Sequence, residues 1–188
     1  MQHNQQRSCL PTEPYFFAEI YCMRKIVLFL VFIGVSFCFV ACFKKDSGCN
    51  YTVDKNRAST YEQNALKKYL DSVGINATLD SSGFYYQIVS KGYGTPPGPC
   101  SRVTVSYTGQ LLNRSVFDQQ ASALFTLGGL IPGWKQGLPL ISKGGEIKLF
   151  IPPSLGYAGM PQYDKTGTVV LIPAYSNLIF DISLIDVQ

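Results

Sequence analysis

The sequence predicts an α+β domain: a bent antiparallel β-sheet wrapped around one short α-helix, preceded by an amphipathic helix. Three observations lead there. Segments rich in β-branched and aromatic residues, most of them alternating in polarity, occupy the chain from residue 84 onward. A single short helical candidate, Trp134 to Ile141, lies among them. Ahead of them, residues 59–73 combine a helix-capping signature with an apolar period of 3.6 residues.

The elements follow in order. Lys44 to Ala58 is polar and aperiodic, so residues 42–58 read as a flexible tether. Ser59-Thr60-Tyr61-Glu62 fits a capping box, with Ser59 as the cap and Glu62 reaching back. Tyr61, Ala65, Leu66, Tyr69 and Val73 then share one helical stripe, and Gly74 supplies a stop. This predicts a helix over 60–73 within an N-terminal segment, 59–83, whose role is packing or spacing. Phe84 to Val89 is the first strand candidate, with Phe84, Tyr85 and Tyr86 as packing residues, and Lys91 to Pro99 is a Gly/Pro loop. Arg102 to Leu111 alternates cleanly, with Val103, Val105 and Tyr107 on one face. Glu146 to Ile151 and Asn177 to Val187 alternate in the same way, which sets the main domain at 84–188.

Composition removes several functions. Charged residues are 15% of the 188 and hydrophobic residues 46%, which excludes a disordered chain or a coiled coil. The net charge of +4 is spread thinly, with no basic block, so no nucleic-acid partner is expected. The only histidine is His3. Without it the chain has no imidazole for Ser-His or Cys-His nucleophile pairs, metal sites or acid–base catalysis.

The N-terminal region reads as an address. Arg24 and Lys25 precede an apolar run of 15 residues, Ile26 to Val40, too short for a comfortable membrane span. Phe39-Val40-Ala41-Cys42 resembles the lipobox of bacterial lipoproteins, with Phe39 where Leu is usual. That resemblance implies a signal peptide at 23–41 and lipid attachment at Cys42. It would place the protein in a bacterial cell envelope, membrane-anchored and facing the periplasm or the exterior. A plain secretory signal and an uncleaved anchor are the other readings. Residues 1–22 precede a natural start at Met23 and read as a mis-called upstream extension. Cys9, Cys22 and Cys38 fall in segments expected to be lost, which leaves Cys49 and Cys100 as an even pair. A disulfide in an oxidising compartment and two separate thiols both fit. No metal site is expected from two lone cysteines.

Between and at the ends of the strands stand Tyr107-Thr108-Gly109, Phe117-Asp118, Phe125-Thr126-Leu127-Gly128, Ile131-Pro132-Gly133-Trp134, Ile151-Pro152-Pro153, Tyr157 and Ile172-Pro173 before Leu178-Ile179-Phe180. Their order and spacing resemble the FKBP-type peptidyl-prolyl cis–trans isomerases over about residues 84–188. The family fold, a bent antiparallel sheet around a short helix, agrees with the periodicity. The resemblance implies a pocket with Tyr107 as an aromatic wall, Phe117 and Asp118 as a second wall and a carboxylate, and Trp134 as the floor. It implies that the Ile131 N–H and the Tyr157 hydroxyl bond the substrate. Phe180 completes the apolar wall, with Leu130, Leu171 and Ile172 as substrate-binding neighbours. Ala123 stands where the family often has an aromatic, Ala174 replaces a proline, and the segment from Tyr157 to Leu171 is long and includes Met160, Pro161 and Tyr163.

Such a pocket needs no cofactor or metal. Amide resonance holds the Xaa–Pro bond with a barrier of about 18–20 kcal/mol. Accelerating rotation by four powers of ten takes only about 5.5 kcal/mol, within reach of an apolar cleft and a few donors. The expected partners are proline-containing polypeptides and the membrane reached through Cys42, and the expected state is a monomer. The alternative is a chaperone or assembly lipoprotein that binds proline segments with weak or no turnover. A structural lipoprotein with a degenerate pocket is the third reading.

Overall fold

In a computed structural model, which describes residues 48–188, helix α1 runs Thr60–Ser72. The expectations for residues 1–22, for the signal peptide at 23–41 and for Cys42 lie outside the described residues. The capping box is formed: the Ser59 hydroxyl accepts the Glu62 N–H at 3.3 Å, and the Glu62 carboxylate accepts the Ser59 N–H at 3.0 Å. The helix ends before Gly74, whose φ of +71° suits a residue without Cβ. Its buried face matches the expected stripe only in part: Leu66 and the half-buried Tyr69 face inward, as does Leu70. Leu66 and Leu70 are fully buried, whereas Tyr61 is 83% exposed and Ala65 and Val73 also face solvent. The reason is what lies beneath: Leu66 and Leu70 pack on Tyr85, Phe150 and Ile179, and the helix turns to cover them.

The strands are β1 (Thr78–Leu79), β2 (Tyr85–Ser90), β3 (Arg102–Leu111), β4 (Val116–Thr126), β5 (Glu146–Ile151), β6 (Gln162–Tyr163), β7 (Val170–Ile172) and β8 (Leu178–Val187). Six of them form one antiparallel sheet in the order β1-β2-β5-β8-β3-β4. β6 and β7 form a separate two-stranded pair. Helix α2, Pro132–Gly137, continues into a 3-10 turn at Leu138–Leu140, and together they fill the expected Trp134–Ile141 segment.

Side-chain alternation sends the sheet's apolar residues to two faces. Val103, Val105, Tyr107, Ile147, Leu149, Ile151, Leu178, Phe180 and Ile182 join Trp134 and Leu138 in the main core. Their neighbours Tyr85, Phe150 and Ile179 face the other way, into the cluster under α1. The run Phe84-Tyr85-Tyr86 is therefore divided: Phe84 and Tyr86 belong to the main core and Tyr85 to the second cluster. Helix α2 lies directly on β5 because Gly133 and Gly137 face it. A Cβ on Gly133 would sit 2.6 Å from the Ile151 side chain, and one on Gly137 would sit 2.7 Å from Leu149.

β4 is the long edge strand. Two irregularities in its pairing with β3 each place an extra residue on β4, one of them Phe117 between Val116 and Asp118.

Candidate active site

Tyr107, Phe117, Asp118, Phe125, Leu130, Ile131, Trp134, Tyr157 and Phe180 converge on one cavity of about 190 Å³. Each is positioned by an element already described. Tyr107 comes from the buried face of β3 and Phe180 from β8, with Gly109 paired to Phe180 between them. Gly109 is needed for close approach: a Cβ there would lie 2.6 Å from the Phe117 ring and 2.9 Å from Phe180. With that space free, Phe117 and Phe180 meet edge-to-face at 5.6 Å. The bulge on β4 sets Phe117 at the mouth and Asp118 beside it.

Trp134, in the first turn of α2, forms the floor. Its ring meets Tyr107 and Phe180 at 5.2 Å and Phe125 at 6.2 Å, all three close to perpendicular. Its indole N–H is buried without a partner. At the wall, the Tyr107 hydroxyl donates to Asp118 Oδ2 at 2.5 Å. Burial, then this bond to a carboxylate, raises the Tyr107 phenol well above its ordinary value. Burial, then the nearby Asp118 charge, also raises the Tyr157 phenol. Both hydroxyls are thereby kept as protonated donors. The Ile131 carbonyl accepts the Trp134 and Lys135 N–H groups, whereas the Ile131 N–H donates to no acceptor among the described residues. The cavity therefore offers aromatic walls, a few uncommitted donors and one carboxylate. That set can grip a small apolar ring and a carbonyl, and it contains no nucleophile–base pair.

Seven of the expected residues, Tyr107, Phe117, Asp118, Ile131, Trp134, Tyr157 and Phe180, line the cavity, as does Leu130. Two expected neighbours do not. Ile172 is buried in the main core at 4% exposure, and Leu171 faces solvent at 37%. Both sit on β7, which pairs with β6 outside the main sheet, so alternation turns Leu171 outward and Ile172 inward. Phe125 was missed. It stands in the Phe-Thr-Leu-Gly run, and its place on β4 two residues from Ala123 was the available signal.

Residues 49–58, expected to be part of a tether, pack against the domain as a strap. Cys49 is disulfide-bonded to Cys100, which settles the choice between a bridge and two thiols. The Tyr51 ring lies against Gly128. Asp54 forms a 2.6 Å ion pair with Lys135, their side chains 6% and 22% exposed. The Gln136 amide donates to Asp54 Oδ1 and to the Asn56 carbonyl, both at 3.0 Å. The strap therefore holds the residues immediately after Trp134. Burial alone would raise the Asp54 pKa; bonds from Lys135, the Asn56 N–H and Gln136 outweigh it and leave the carboxyl below its usual range. The opposite side is held from α1. Glu62 accepts the Ser154 N–H at 2.9 Å and the Ser154 hydroxyl at 3.0 Å, in the 3-10 turn Pro153–Leu155 just before Tyr157.

Residues 94–185 match the family model FKBP_C, described as FKBP-type peptidyl-prolyl cis-trans isomerase. The chain is 39% identical over 128 residues to the FKBP-type peptidyl-prolyl cis-trans isomerase FkpA of Escherichia coli (strain K12), covering 65% of this chain and 43% of that protein. It is 34% identical over 130 residues to the FKBP-type 22 kDa peptidyl-prolyl cis-trans isomerase of the same strain, covering 67% and 57%. The chain thus spans about half the length of these curated relatives. Among solved structures, the crystal structure of FkpA from Escherichia coli aligns with a TM-score of 0.58 at 36% identity, covering 68% of this chain and 60% of that one. The crystal structure of AtFKBP13 aligns at 0.54 and 31% identity, covering 60% of this chain and 99% of that one.

Proposed function

We infer that this chain, which belongs to the FKBP-type peptidyl-prolyl cis–trans isomerase family, rotates Xaa–Pro bonds in exported polypeptides held in the aromatic cavity. The observation that carries the reading is the convergence of Tyr107, Asp118, Ile131, Trp134, Tyr157 and Phe180 on one hollow.

The chemistry follows from the lining. A planar Xaa–Pro amide is strongly polar because of resonance, and twisting it removes that resonance. An aromatic, water-poor cavity disfavours the planar form relative to the twisted one. The Ile131 N–H and the Tyr157 hydroxyl supply donors for the carbonyl as it rotates out of plane, an interaction realised most fully in the twisted state. The proline ring sits on Trp134, between Tyr107 and Phe180. No bond is made or broken, and no proton needs to leave the enzyme.

The protein acts in a bacterial envelope, anchored through lipid on Cys42. Arg24 and Lys25 ahead of an apolar run that ends in Ala41-Cys42 support this, as does a disulfide that suits an oxidising compartment.

The test is isomerisation of a Xaa-Pro peptide by the full chain. Turnover that falls at least tenfold in Asp118→Ala and in Tyr157→Phe supports the reading. Retained binding of unfolded chains with no turnover by the wild-type protein favours a proline-binding chaperone instead.

A further inference from the structure

We propose that Glu62, on helix α1, is a positioning residue for Tyr157; the inference deepens the isomerase reading and rests on it for its kinetic arm. Glu62 lies outside the residues matched by the family model. It makes two sets of bonds at once. One set caps its own helix, through the Ser59 N–H at 3.0 Å and the Ser59 hydroxyl at 2.9 Å. The other crosses 92 residues of sequence to Ser154, taking both the N–H and the hydroxyl. Both carboxylate oxygens are used, so the fork is fixed in orientation as well as in place.

The turn that it grips has reason to need an outside hold. Pro153 to Leu155 is a single 3-10 turn, and its chain runs directly into Gly156 and Tyr157. The Gly156 and Ala158 N–H groups both depend on the Pro153 carbonyl, at 2.9 and 2.8 Å. Ala158 is held at φ +51°, a left-handed conformation unfavourable for a residue with a Cβ. Tyr175, itself at φ +57°, donates its N–H to the Ala158 carbonyl at 2.7 Å. A strained turn of this kind keeps one geometry only when neighbours over-determine it. On one side the neighbour is Tyr175, and on the other it is Glu62. Tyr157 stands between these two holds and contributes the hydroxyl on the cavity wall. Helix α1 therefore does more than cover the back of the sheet: its first turn sets where that hydroxyl stands.

Burial tends to raise the Glu62 pKa, but the bonds from Ser59 and Ser154 outweigh it and leave the carboxyl below its usual range. It is charged, and a full acceptor, at neutral pH.

The experiment compares Glu62→Ala, Glu62→Gln and Tyr69→Phe in the full chain. Tyr69→Phe is the control for helix docking, since it removes a 3.0 Å bond from α1 to the Leu112 carbonyl, away from the turn. Two readouts are taken: amide hydrogen exchange at Gly156 and Ala158, and kcat/KM on a Xaa-Pro peptide. The expected result for Glu62→Ala is exchange at both amides at least fivefold faster than in Tyr69→Phe, with kcat/KM lower by about tenfold. Glu62→Gln, which keeps an acceptor for the Ser154 N–H, recovers part of both. Exchange and kinetics in Glu62→Ala that match Tyr69→Phe overturn the proposal. If the wild-type chain turns over no peptide, the isomerase reading fails, and the exchange readout alone decides this one: acceleration supports it and no change overturns it.

Discussion

The Tyr107 hydroxyl reaches Asp118 diagonally: the β3–β4 register sets Gly109 opposite Asp118 and Gln120 opposite Tyr107, yet the two side chains bond at 2.5 Å. The diagonal is within reach of a long aromatic side chain on a twisted strand pair. It ties the β3 wall of the cavity to the bulged edge strand.

Removing that tie has a measurable cost. Tyr107→Phe is expected to lower stability by about 1.5–3 kcal/mol, the range for a hydrogen bond to a charged acceptor. A second signature is alkaline. A tyrosine in the unfolded chain ionises near pH 10, and Tyr107 in the fold does so higher because of its burial and its bond to Asp118. Between the two values the unfolded chain has lost a proton that the folded chain keeps, so stability falls as pH rises above about 10. Urea unfolding on either side of about pH 10 checks it. An equal alkaline loss in wild type and Tyr107→Phe would falsify the assignment.

Trp134 is the only tryptophan of the chain, so its emission reports the cavity floor and nothing else. Titration with a proline-containing peptide is expected to shift that emission, whereas a proline-free peptide leaves it unchanged. Trp134→Ala is expected to cost about 3–5 kcal/mol, because the ring belongs to the core as well as to the cavity. A peptide that is isomerised without any change in emission counts against the floor assignment.

The disulfide closes a loop between residues 51 apart in sequence, for which chain entropy gives a stabilisation of about 4 kcal/mol. The double variant Cys49→Ser/Cys100→Ser is expected to unfold at lower urea with a loss of about 2–4 kcal/mol. An unchanged midpoint shows that the cross-link adds nothing to the stability of the domain.

Asp54 gives the strap an acid sensitivity. Its folded pKa is depressed by its bonds to Lys135, Asn56 and Gln136, working against burial. That stability is therefore fully present above the unfolded value of about 3.9 and is lost as pH falls through the lower folded value. Asp54→Ala is expected to be less stable at neutral pH and to lose less than wild type on acidification. Parallel acid curves for the two proteins would rule out this role.

Membrane attachment is tested at Cys42. Cys42→Ala is expected to move the protein from the membrane fraction to the soluble one. Unchanged partitioning rejects lipid anchoring at that residue.

Much of the cavity was legible because its residues stand in short fixed strings, Val-Phe-Asp and Ile-Pro-Gly-Trp among them. Alternation on β3, β5 and β8 was equally plain, since each buries one face against the core. β4 left no such trace. It is an edge strand with most of its eleven residues exposed, so Gln119, Gln120, Ala121 and Ser122 show no apolar period. With the strand unread, Phe125 could not be placed on a wall. Leu171 and Ile172 were misplaced for a related reason: neighbours on a short strand face opposite ways, and pairing with β6 decides which is buried. The α1 stripe was ambiguous because Tyr61 and Val73 fit the period as well as Leu66 does, and only the shape of the underlying sheet chooses. In the run 49–58 only Cys49 pointed to an attachment, and the rest of the strap left no signal, since its grips on Lys135 and Gln136 are long-range.

Gly133 and Gly137 let α2 rest on β5, and Trp134 travels with that helix. Side chains at these two places would collide with Ile151 and Leu149, so α2 would have to shift on β5 and take the indole with it. The seat of the cavity floor is thus set from behind, through two missing methyl groups, by residues that do not line the cavity.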